Sequence, residues 1–139
     1  MYLCIVKESF GKEYKLCSKI QIDQVFASGS RVSQFPLQAL AHSASFPENI
    51  PFKVLISVPK KKIKKSVNRN YIKRLLREVI RKNKLNLESF LLENKLQLAL
   101  CIIYSSQEET NFLELETKIN KLFNKLINHV TEQYLEKQY

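Results

Sequence analysis

Two short apolar runs, residues 52–58 (FKVLISV) and 96–104 (LQLALCIIY), are separated by a segment that cannot lie in a sheet. Both runs have the length and the β-branched content of strands. Between them Ile72, Leu75, Leu76, Val79 and Ile80 recur at i, i+3, i+4 and i+7, which predicts a helix over about 67–83. A strand, a crossover helix and a second strand imply two parallel strands in one sheet, since parallel neighbours need a connection of roughly a dozen residues or more. The rest of the chain supplies two further helices and antiparallel strands. The expected fold is α/β (α+β, two-layer), with a four-stranded mixed sheet and about three helices.

The crossover segment also holds the charge. Residues 60–84 contain twelve of the chain's 23 basic residues and one of its 13 acids, so this stretch carries +11 of a net +10 and the remainder is −1. Pro59 ends the first strand, and Lys60, Lys61, Lys62, Lys64 and Lys65 form a loop that leads into the helix. On the helix Arg69, Lys73, Arg77 and Arg81 recur every four residues, with Asn70 and Arg74 beside them. Like charges at this spacing repel, and only a polyanionic partner offsets the cost. Arginine's planar fork suits phosphate oxygens, which favours nucleic acid over a merely solvated basic face.

The other segments are less charged. Residues 1–14 read as an N-terminal extension, and 15–139 as a single nucleic-acid-binding α/β domain. Ser18 and Gln21 fit a capping box for a short helix ending at Gly29, with Ile22, Val25 and Phe26 on one face. On spacing alone Phe26 belongs to the core. Residues 30–45 alternate loosely and read as one strand, with Pro36 marking an edge or bulge. The segment 46–51 is a turn, and 52–58 is expected to be a central strand. Residues 83–94 break the basic helix and offer a weak amphipathic turn around Leu87, Phe90 and Leu91. A last helix runs from Phe112 to about Lys137, its stripe formed by Leu115, Ile119, Leu122, Leu126 and Val130.

Catalytic chemistry has little to draw on. His42 and His129 stand alone, Glu108, Glu109, Glu114 and Glu116 cluster where helix-start capping explains them, and two glycines cannot build a phosphate loop. Cys4, Cys17 and Cys101 form no disulfide or zinc pattern. No stretch approaches 18 apolar residues, and the first six residues are too short for a secretory signal, so the chain reads as cytoplasmic.

The segment SVNRNYIKRLLREVIRK closely resembles the signature of the protein subunit of bacterial ribonuclease P, through Arg69, Asn70, Lys73, Arg74 and Arg77. The preceding ISVPKKKIKKSV and the upstream LCSKIQIDQVFASGSRVS are similar to that family's strand, lysine-rich entry and first helix. The resemblance implies a left-handed strand–helix–strand crossover, and the fold shared with the second domain of a small-subunit ribosomal protein. It implies the non-catalytic protein subunit of an endoribonuclease, whose RNA subunit removes the 5′ leader of precursor tRNA with Mg²⁺ held mainly by that RNA and the substrate. By the same likeness Lys60, Lys61, Arg69, Asn70, Lys73, Arg74, Arg77 and Arg81 would face the RNA subunit. Ile22 and Phe26 would line the leader cleft; no catalytic or metal residue is expected on the protein. One protein per RNA, monomeric when free, is the implied assembly. The chain departs from the family pattern at Tyr71, where a third cation is frequent, at Ile22, where an aromatic is common, and at Ser105–Gln107, which lacks a basic residue. The alternatives are a general RNA-binding or ribosome-associated module, a nuclease acting alone, or a basic helix docking on membrane or an acidic protein.

Overall fold

The computed structural model of the chain describes residues 14–47, 49–108 and 110–135. What the sequence suggests for residues 1–13 lies outside them. The elements are α1 (Lys19–Ser28), β1 (Ser30–Gln34), β2 (Leu37–Ser43), β3 (Phe52–Ser57), α2 (Ser66–Asn83), α3 (Leu85–Glu93), β4 (Leu98–Tyr104) and α4 (Phe112–Val130). A π-helical turn, Thr131–Leu135, follows α4. The strands form one mixed sheet in the order β1-β2-β4-β3, antiparallel except for the parallel pair of β3 and β4. The α/β class, the four strands and the parallel pair agree with the sequence pattern.

Four details differ from it. Residues 30–45 form a hairpin and not one strand, because Pro36 has no N–H to give the ladder; its carbonyl instead accepts from Ser105 N at 2.7 Å. Residues 52–58 are an edge strand, while β4 is central. An apolar run reports cover on both faces, not place in the sheet, and here the outer edge is shielded by Leu16 N donating to Val54 O at 3.1 Å. Tyr14, at the end of the expected extension, belongs to the core: it is 1 % exposed and its ring lies 5.5 Å from that of Phe52. A fourth helix, α3, forms where only a weak turn was expected, because Leu87 and Leu91 are fully buried.

In-register partners share a face of the sheet. Val32, Ala39, Ile102 and Ile56 lie on one side with Leu37, Leu100, Tyr104 and Val54. This apolar face packs under α4 and α2, which contact each other, and α3 packs against α4. The opposite face carries Arg31, Ser33, Gln38, His42, Lys53 and Ser57 among Leu40, Ala99 and Cys101. It is partly covered by α1, which packs on β2 and β4 through Val25. Ser18 Oγ accepts from Gln21 N to cap α1, while the Gln21 side chain donates to Ser45 O at 3.1 Å and does not close a capping box. Gly29 ends the helix in extended backbone; a Cβ there would sit 2.2 Å from Val25 O. No helix among the described residues is long and apolar enough to cross a membrane.

The energetics explain why a self-repelling helix folds. Leu76, Val79 and Ile80 are 0 % exposed, and each full burial contributes about 1.5–3 kcal/mol. Each like-charged i,i+4 pair on the outer face costs about 0.2–0.5 kcal/mol. The apolar stripe therefore fixes α2, and the cations are carried along on its solvent side.

Candidate nucleic-acid interface

The interface is built on α2 and the loop that feeds it. Lys62 N and Ile63 N both donate to Pro59 O at 3.1 Å, turning the chain directly after β3. Buried Ile63 anchors the turn and leaves Lys60, Lys61, Lys62, Lys64 and Lys65 exposed. Lys65 is the N-cap of α2 and offers no side-chain cap. Cations at this positive helix end are unfavourable on their own, and an approaching anion reverses the sign.

The structure sorts the candidate cations into distinct roles. Lys73, Arg74 and Arg77, with Asn70, are exposed on the outer face of α2, and none has a hydrogen-bond or ion-pair partner among the described residues. Arg69 turns back on its own loop: its Nη1 donates to Ile63 O at 3.0 Å and Lys64 O at 2.7 Å. It locks the lysine loop against the helix. Arg81 is held by Glu78, with Nε donating to Oε1 at 3.1 Å. That hydrogen bond is the main reason the Glu78 carboxyl sits below its ordinary range. Lys84 leaves the surface altogether. It is 2 % exposed, pairs with fully buried Glu88, and lies 4.9 Å from the centroid of the Tyr14 ring. Burial pushes the Glu88 carboxyl up, against the opposing pull of Lys84 and Tyr14.

The two candidates on α1 sit apart from these. Ile22 is half-buried, and Phe26 is 53 % exposed on the partly covered side of the sheet. The core placement suggested by spacing fails for Phe26, since Val25 already fills the contact with the sheet and Phe26 lies about 100° further round the helix. Arg31, Gln38 and Lys53 on the same sheet face escaped notice in the sequence. Arg31 donates to Gln38 Oε1 at 2.7 Å, and the Lys53 ammonium lies 5.1 Å from the centroid of the Phe46 ring. Their signal was the polar half of the strand alternation. Among the described residues no three His, Cys, Asp or Glu side chains gather to hold a metal, and His129 Nε2 is buried with no partner.

A mixed sheet that carries a helix face of cations with no partner among the described residues, beside a lysine loop held by Arg69, defines an α/β domain with an exposed basic surface. The ribonuclease P family model matches residues 10–127. The ribonuclease P protein component of Porphyromonas gingivalis is 28% identical over 127 residues, 91% of this chain and 93% of that protein. That of Lactobacillus helveticus is 38% identical over 77 residues, 55% of this chain and 62% of its own length. The structures of the Staphylococcus aureus and Thermotoga maritima RNase P proteins share the fold at TM-scores of 0.60 and 0.62, each at 19% identity. They cover 81% and 80% of this chain and 94% and 96% of their own. The chain belongs to the ribonuclease P protein family, and its role is in tRNA 5′ processing.

Proposed function

We propose that the chain binds the catalytic RNA of ribonuclease P through the loop and outer face of α2, and holds the 5′ leader of precursor tRNA along α1 and the open sheet face. Lys73, Arg74 and Arg77 would meet phosphates directly, with Asn70 between them and Lys60 and Lys61 adding charge from the loop. Arg81 would contribute a partly neutralised cation, and Arg69 would act by holding the loop in place. The observation that carries the reading is the absence of any carboxylate partner for Lys73, Arg74 and Arg77 among the described residues. Three cations within little more than one turn of α2, with no carboxylate to neutralise them, suit a polyanion better than an internal role. For the leader, Ile22 and Phe26 offer apolar contact, and an aromatic face accepts any base. Arg31 and Lys53 would add charge along the strand face.

In this reading hydrolysis belongs to the RNA subunit and to the Mg²⁺ that it and the substrate hold. The protein neutralises phosphates where two polyanions meet, which matters most when divalent screening is scarce. The reading places the protein in the cytoplasm, monomeric when free and bound one per RNA. Reconstitution tests it: the full chain should restore precursor-tRNA cleavage by the RNA subunit at low Mg²⁺ and leave a 5′-phosphate on the tRNA. No stimulation over RNA alone would refute the reading. Clean 5′ maturation by protein and Mg²⁺ without RNA would replace it with a protein nuclease.

A further inference from the structure

Beside the phosphate-binding face lies a groove of about 440 Å³ between the lysine loop, the first turns of α2 and the loop after β4. Lys62, Lys64 and Lys65 line one side, Asn68 and Tyr71 the helix side, and Gln107 the opposite wall. Buried Ile63 and Ile72 give it apolar lining. Tyr71 is 51 % exposed, and Val67 one turn before it is 73 % exposed. We propose that this groove takes one unpaired RNA nucleotide, its base stacked on the Tyr71 ring and its phosphate held by the lysines. The inference rests on the reading that α2 grips RNA, and adds to it a site for a flipped-out base.

The chemistry favours a nucleotide over a simple anion. Phosphate binding needs only cations, and an exposed flat ring among them adds nothing to it. Every base, by contrast, has a face that stacks on an aromatic ring. Asn68 and Gln107 present amides that both donate and accept, which suits a base edge freed from pairing. The volume lies within the roughly 300–1,000 Å³ of small-ligand sites. No carboxylate lines the groove among the described residues, so a cationic ligand is disfavoured. An acidic peptide would use the lysines and leave both ring and amides idle.

Both walls are fixed before any ligand arrives. Arg69 ties down the carbonyls of Ile63 and Lys64 on the loop side. On the other side the Tyr104 hydroxyl donates to Glu108 O at 2.7 Å, and Glu108 N donates to Ser106 Oγ at 3.0 Å, which holds the segment bearing Gln107. Preorganised walls lower the ordering cost of binding.

The chain has no tryptophan, so Tyr71→Trp places one indole reporter at the groove without disturbing buried residues. Titrating this full-length variant with the catalytic RNA should quench the indole as the base stacks on it. Tyr71→Leu should weaken RNA binding by about 5- to 150-fold with the salt slope unchanged, and Tyr71→Phe should bind as the native chain does. Unchanged indole emission at saturating RNA, or native affinity of Tyr71→Leu, would overturn the proposal while leaving the processing role intact. Equal quenching by polyglutamate would overturn it in favour of an acidic peptide. If the native chain fails to bind the catalytic RNA, the functional reading fails. A short single-stranded oligoadenylate then decides the groove by itself, quenching sustaining it and no response ending it.

Discussion

Replacing Arg74 and Arg77 together by alanine removes two of the partner-free cations from the outer face of α2. Charge-assisted hydrogen bonds are worth about 1.5–3 kcal/mol when shielded from water, and exposed ion pairs up to about 1 kcal/mol. These side chains are exposed, so about 1 kcal/mol each is the appropriate figure, a loss of roughly 30-fold in affinity for the catalytic RNA at low salt. Each lost phosphate contact also lowers the slope of log affinity against log salt by about 0.7–0.9. Two contacts flatten it by about 1.4–1.8, so the deficit shrinks about 7- to 12-fold between 50 and 200 mM salt. Filter binding across a salt series measures both quantities. The fold should not suffer. Arg77 sits four residues from both Lys73 and Arg81, and its removal relieves about 0.2–0.5 kcal/mol of repulsion per pair, while Arg74 gives up no intramolecular partner among the described residues. An unchanged melting temperature with an unchanged salt slope would refute the reasoning, because it would show that these cations meet no phosphate.

Three other perturbations probe the supports of the site. Arg69→Gln cannot reach both loop carbonyls, so it should cost about 1–2 kcal/mol and speed hydrogen exchange at Lys62 N and Ile63 N; unaltered exchange there would show that the loop holds itself. Glu88→Ala strands the buried Lys84 ammonium and should destabilise the domain by about 3–5 kcal/mol in chemical denaturation, whereas a loss below about 1 kcal/mol would mean that the pair is not a structural anchor. Burial raises the Cys101 thiol from 9.0 to about 11, so iodoacetamide at pH 8 should label exposed Cys17 and spare Cys101. The folded state keeps a proton that the unfolded chain releases, so this group's contribution is intact below pH 9.0 and is lost as pH rises to about 11. Equal labelling of the two thiols would contradict the buried placement.

The helix carrying the cations, the two strands flanking it and their parallel pairing are written in local periodicity. The stripe from Ile72 to Ile80 and the strand lengths need no knowledge of distant neighbours. The concentration of charge after Pro59 is equally a property of the chain alone, as is the capping of α1 by Ser18. These features depend on residues three or four positions apart, or on alternation within one strand.

What each cation does was decided only in three dimensions. Arg69 and Arg74 are indistinguishable as charges on a helix, yet one locks a loop and the other faces water. Lys84 looked like the end of the basic run until Tyr14, 74 residues from Glu88, closed over the pair that buries it. The edge position of β3, the exposure of Phe26 and the groove at Tyr71 likewise depend on segments far away in sequence. Sequence spacing fixes which side of an element a residue occupies. Only the packing of remote elements fixes what that side meets, and a charged group's role follows from whether it meets water, a carbonyl or a carboxylate.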